Sequence, residues 1–160
     1  MNRVLAVLLL LSSVYAGTDL NKFVGEWTLV AMYSAAAELR TCDRFNITLD
    51  GDACSCDGEP ASALRFGMVA LPIIVVEDYQ GVAAALNRRC TSGGITKTMA
   101  ARLVNDDFFV LYERCYECSE REPETANLMA RRLPRKADLD ALVGIDELRG
   151  RSGKTCGLVQ

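Results

Sequence analysis

Apolar and polar positions along the chain fall into three regimes. The first is an unbroken apolar run over residues 4–11 (VLAVLLLL), behind the short basic opening Met1-Asn2-Arg3. The run is far short of the roughly 20 residues needed to cross a bilayer. Ser12-Ser13-Val14-Tyr15-Ala16 then softens it toward a small-residue processing site. With Val14 and Ala16 at the minus-three and minus-one positions, the pattern predicts a cleavable export leader over residues 1–16 and a first mature residue at Gly17.

The second regime is strand-like. Residues 26–34 (EWTLVAMYS) put Trp27, Leu29, Ala31 and Tyr33 on one face if extended. Residues 44–50 (RFNITLD) alternate and run into Asp50-Gly51, a hairpin signal. Residues 63–70, 72–78, 96–104, 108–115 and 125–133 read as further strands, with Asn105-Asp106-Asp107 as a turn. Residues 81–89 suit a helix by composition and a strand by position, and residues 34–40 suit a loop or helical turn. The third regime is the tail. In residues 137–149, Leu139, Leu142, Val143 and Leu148 lie near helical spacing, and Asp138 or Asp140 can cap the N-terminus. The expectation is one all-β domain over residues 17–160, with about eight antiparallel strands in a barrel or sandwich and one short C-terminal helix.

Composition narrows the chemistry. The chain has no histidine, which excludes Ser-His-Asp and Cys-His nucleophiles, His-ligated haem and the usual catalytic zinc sites. Net charge is −3, and the densest basic cluster (Arg131, Arg132, Arg135, Lys136) is too short to suggest a nucleic-acid partner. No cofactor, resident metal or membrane-spanning segment is expected. The seven cysteines are Cys42, Cys54, Cys56, Cys90, Cys115, Cys118 and Cys156. In an exported chain they read as disulfides, and the odd one is free or links two copies in a homodimer. Cys115-Tyr116-Glu117-Cys118 has the C-x-x-C spacing of a redox centre or half a zinc site, but it lacks the βαβ setting of the first and the matching half of the second. Asn46-Ile47-Thr48 is a glycosylation sequon and would face outward.

Phe23-Val24-Gly25-Glu26-Trp27, close to the inferred mature N-terminus, resembles the first signature of the lipocalins, an aromatic followed by Gly-x-Trp. Glycine allows a tight turn into the first strand, and the tryptophan plugs the closed end. Arg132, two residues before Pro134, resembles the arginine that covers that tryptophan in the family. Asn105-Asp106-Asp107 with the following strand keeps the acidic turn of the second signature. The resemblance implies an eight-stranded up-and-down antiparallel barrel, with Gly25, Trp27 and Arg132 at its base. It implies that Cys156 ties the tail to the barrel wall and that Cys42 meets Cys115 or Cys118.

A barrel of that size encloses one small ligand. The expected lining is Trp27, Leu29, Ala31 and Tyr33, with Phe109, Leu111, Leu128 and Ala130 by family analogy; the same residues would also suit a solid core. The small residues Ala31, Ala100, Ala101 and Ala130 would leave room inside. The expected function is a secreted, non-enzymatic carrier of a small hydrophobic ligand of lipid, terpenoid or pigment class. The alternatives are a secreted protein-binding, inhibitor or defence module with a filled cavity and, third, an isomerase using a cavity cysteine.

Overall fold

The computed structural model describes residues 19–34, 39, 41–114 and 124–160. The expected leader, its cleavage site, Cys115 and Cys118 lie outside them.

A 3-10 turn over Leu20–Phe23 is opened by Asp19, whose carboxylate accepts from the Asn21 backbone N–H at 2.9 Å. It delivers the chain into β1 (Gly25–Tyr33). β2 (Arg44–Cys56) and β3 (Glu59–Phe66) form a long hairpin. Its turn is Asp57-Gly58, with φ of 53° and 84°. A two-residue type I′ connection needs positive φ at both positions, and Asp-Gly suits it. The hairpin signal at Asp50-Gly51 is not a turn: β2 passes through it with a register irregularity between Asp50 and Cys54. Both pairs carry turn chemistry. The distal half of β2 gains a second partner strand, which favours the later turn.

Next come β4 (Val69–Leu71), β5 (Ile73–Val75), α1 (Val82–Leu86), β6 (Cys90–Ser92) and β7 (Ile95–Thr96). β8 (Met99–Leu103), β9 (Phe108–Arg114) and β10 (Glu124–Ala130) follow. α2 (Lys136–Asp140) and β11 (Lys154–Thr155) complete the tail. The tail helix is shorter than expected: beyond α2 the chain runs in turns to Gly150, although Leu148 is still buried.

The expected eight-stranded antiparallel barrel is not what forms. The described strands make one mixed 11-stranded sheet with the path β4-β3-β2-β1-β10-β9-β8-β5. β11 adds to β1, and the β6–β7 hairpin adds to the far end of β2. The ladder ends at β4 and β5, which do not pair, so the sheet is open. β5 runs parallel to β8. Pro72, between the two edge strands, has no N–H to offer a ladder. Its carbonyl accepts the Met99 N–H at 3.1 Å, which draws the chain to β8 instead. A parallel pair needs a long crossover, and here it holds α1 and the β6–β7 hairpin.

The sheet buries both faces. Its concave side encloses Phe23, Trp27, Ile47, Leu64, Met99, Phe109, Leu111 and Met129. Its outer side packs Val30, Ala31, Tyr33, Val110, Tyr112, Ala126, Leu128 and Ala130 against α1, Leu139 and Leu148. Ala31, Ala100 and Ala130 therefore do not open the interior, and of the four expected alanines only Ala101 belongs to the concave cluster.

Among the described residues two disulfides are present, Cys42–Cys156 and Cys56–Cys90. The first corrects the expected partner of Cys42. The cause is β11, which pairs with Ala31 and Met32, while the Cys156 N–H donates to the Val30 carbonyl at 2.9 Å, bringing the tail beside the chain that enters β2. Cys56 and Cys90 are direct partners in the β2–β6 register. Cys54 is a free, buried thiol, held against the carbonyls of Ala61 and Ser62 at 3.0 and 3.2 Å. Burial pushes its pKa up, which keeps it protonated.

Candidate functional site

One end of the concave side is packed solid. The Trp27 and Phe109 rings meet edge to face at 4.6 Å, and Phe23 joins Phe109 at 5.1 Å. Trp27 Nε1 donates to the Phe23 carbonyl at 2.8 Å, so the indole is satisfied although buried. The Arg131 guanidinium lies over the indole, 3.9 Å from the ring centroid. It also donates to the carbonyls of Val24 and Lys22 at 2.8 and 2.7 Å. The expected partner, Arg132, is exposed on the other side of the chain. Strand parity gives the reason: Met129 faces inward on β10, so Arg131, two residues on, keeps that side and Arg132 does not.

Toward the other end the concave side opens into a cavity of about 380 Å³. β1 supplies Leu29 and Met32, and the rings of Phe45 and Phe66, meeting edge to face at 5.7 Å, form a second wall. Val69 and Leu71 of β4, Met99 of β8 and Leu111 and Met129 of β9 and β10 complete the apolar surface. Two polar side chains reach it, Glu113 and Asn127. Asn127 Nδ2 donates to Glu113 Oε1 at 3.5 Å, and Lys97 Nζ pairs with Glu113 Oε2 at 3.0 Å. Val69 is 44% exposed and the adjoining Met68 is 92% exposed, so this side of the cavity meets solvent through an apolar edge.

The structure divides the sequence-derived lining. Leu29 and Leu111 line the cavity. Trp27 and Phe109 belong to the same apolar cluster, in its packed end. Ala31, Tyr33, Leu128 and Ala130 lie in the outer cluster instead. On β1 the cause is a bulge: Leu29 faces Met129 but Ala31 faces Leu128, which leaves Val30 as the extra residue. One extra residue reverses every later side chain. Met32 thus takes the inward place expected for Ala31 and Tyr33. On β10 the inward set is Asn127 and Met129. A polar Asn between the apolar Ala126 and Leu128 was the available sequence signal, since Asn is depleted from strands.

A larger cavity of about 550 Å³ is lined by Arg88, Lys97, Arg114 and the polar chain around them. Three of its four cations are engaged, Arg88 with Asp57, Lys97 with Glu113, and Arg114 with the Leu86 carbonyl and Asn87 Oδ1; Arg89 is the fourth. Volume alone does not make it the better site, and the apolar cavity has the more selective wall.

Neither protein-family models nor curated proteins give a match to this sequence.

Among the described residues no group of three or more Cys, Asp or Glu side chains is arranged to hold a metal ion. Nor is any described helix long and apolar enough to cross a membrane. Buried charge is instead used to fasten the tail. Arg151 pairs with Glu124, donates to the Glu124 carbonyl at 2.9 Å and donates to Tyr79 Oη at 3.1 Å; Arg102 pairs with the buried Glu147. Tyr79 Oη in turn donates to Glu124 at 2.9 Å. Asn46 and Thr48 of the sequon are both exposed on β2.

Proposed function

We propose that this chain is an exported binding protein that holds one small apolar ligand in the concave cavity of its open sheet. The observation that carries this reading is the composition of the cavity wall: nine apolar side chains from seven strands and only two polar ones. Sites that bind small molecules by burial have this character, with few polar groups fixing orientation. The exposed Met68-Val69 edge suits entry of an apolar guest. Two disulfides and the expected leader support export. Kinship with the lipocalins is part of the same proposal, supported by Gly25-x-Trp27 and by the arginine over the tryptophan.

Titration with an apolar fluorescent probe tests the reading. Saturable uptake by the folded protein, reversed by small apolar competitors, is the expected result. Absence of saturable uptake across a broad apolar panel would refute it.

A further inference from the structure

Asn127 is 6% exposed and faces the cavity from the middle of β10. Its Nδ2 is turned to Glu113 Oε1, which leaves Oδ1 as its free acceptor. Among the described residues, Asn127 Oδ1 is a buried side-chain oxygen with no hydrogen-bond partner. A buried acceptor left without a donor is costly, and native proteins rarely leave one unless something else supplies the donor. The adjacent carboxylate is already occupied: Glu113 receives Asn127 on one oxygen and Lys97 on the other.

We propose that the ligand is a neutral, mainly apolar alcohol, aliphatic or terpenoid, whose hydroxyl donates to Asn127 Oδ1. This rests on the cavity reading above and narrows it to one chemical class. A hydrocarbon or an ether has no donor and leaves Oδ1 unpaired. A carboxylate brings only acceptors and sets a second negative charge beside Glu113. An ammonium would supply donors, but the Glu113 charge that could balance it is already paired with Lys97, and a charge among apolar walls is poorly solvated. The volume limits size as well. At about 30 Å³ per non-hydrogen atom, the share a water molecule takes in the liquid, the cavity holds about 12 such atoms.

The test is competition against the same fluorescent probe by n-nonanol, its methyl ether and nonanoate, on the full secreted chain. The ether is the more apolar of the first two, so burial alone favours it. We expect nonanol to bind about tenfold more tightly than the ether, the scale of one buried hydrogen bond, and nonanoate to be the weakest. In Asn127→Leu the preference for alcohol over ether disappears. In Glu113→Gln nonanoate gains affinity. Equal affinities of nonanol and ether for the wild-type protein would overturn the inference, because the hydroxyl would then make no hydrogen bond to Asn127 Oδ1; the carrier reading would survive. Failure of all three, and of the probe, would remove the carrier reading itself. If Asn127→Leu does not fold, the wild-type alcohol-to-ether ratio alone decides.

Discussion

The Arg131 guanidinium covers the Trp27 indole at 3.9 Å and, from the same position, donates to two carbonyls of the chain that leads into β1. One side chain thus joins the end of β10 to the start of β1, 107 residues away at Val24. A cation–π contact contributes about 0.5–2 kcal/mol and a charged hydrogen bond about 1.5–3. These terms overlap, so Arg131→Ala is expected to cost about 2–3 kcal/mol. Arg132→Ala, at an exposed position, should stay within about 0.5 kcal/mol. Urea denaturation of the two variants separates them, and equal effects would reject the assignment of Arg131.

Gly25 is bound to the same contact. Its φ is +117°, and a Cβ there would stand 2.6 Å from Arg131 Nη1. Gly25→Ala therefore meets both backbone strain and a clash, and is expected to lose at least about 1–2 kcal/mol. Trp27 fluorescence should shift as the arginine is pushed aside. An unshifted spectrum with unchanged stability would contradict the geometry.

The Cys42–Cys156 bridge closes a separation of 114 residues and fastens the tail that covers the outer face. Its loss through Cys156→Ser should cost about 2–5 kcal/mol, mainly by freeing the unfolded chain. Limited proteolysis should then cut first in the C-terminal segment beyond α2. Resistance there equal to wild type would show that the buried Arg151–Glu124 pair holds the tail unaided.

Tyr112 and Tyr33 are buried on the outer face, and burial pushes both phenols above their ordinary value of 10.0. Nearby carboxylates, Glu147 for Tyr112 and Asp140 for Tyr33, push the same way. A raised folded pKa means that the native state keeps its proton where the unfolded chain has lost it. The stabilisation is complete below about pH 10 and is lost as pH climbs through the folded values. Stability measured from pH 8 to 11.5 should fall at the alkaline end, and Tyr112→Phe should make that fall shallower (about one proton less in the linkage). A slope unchanged by the substitution would refute the role of Tyr112.

Leu111 lines the cavity from β9. Leu111→Trp should fill much of it, abolishing saturable probe uptake while costing about 1–3 kcal/mol through overpacking. Probe affinity that survives in the folded variant would place uptake elsewhere.

Local pattern set the β-rich character of the chain, because β-branched and aromatic runs bounded by turn residues favour strands wherever they end up. It also marked Gly25 and Trp27, whose spacing and chemistry are local. It could not choose between Arg131 and Arg132, since the choice depends on which parity of β10 faces inward. Alternation usually answers that question, because one face of a sheet is apolar and the other polar. Here helices and the tail cover the outer face, so both faces are apolar and the usual signal is absent. The Val30 bulge then reverses β1 halfway along, which no periodicity reveals. Tertiary structure alone decided that Met32 and Asn127 face the cavity and that Leu128 and Ala130 do not. It also decided that the sheet stays open at Pro72, where a strand without a donor turned to a parallel partner.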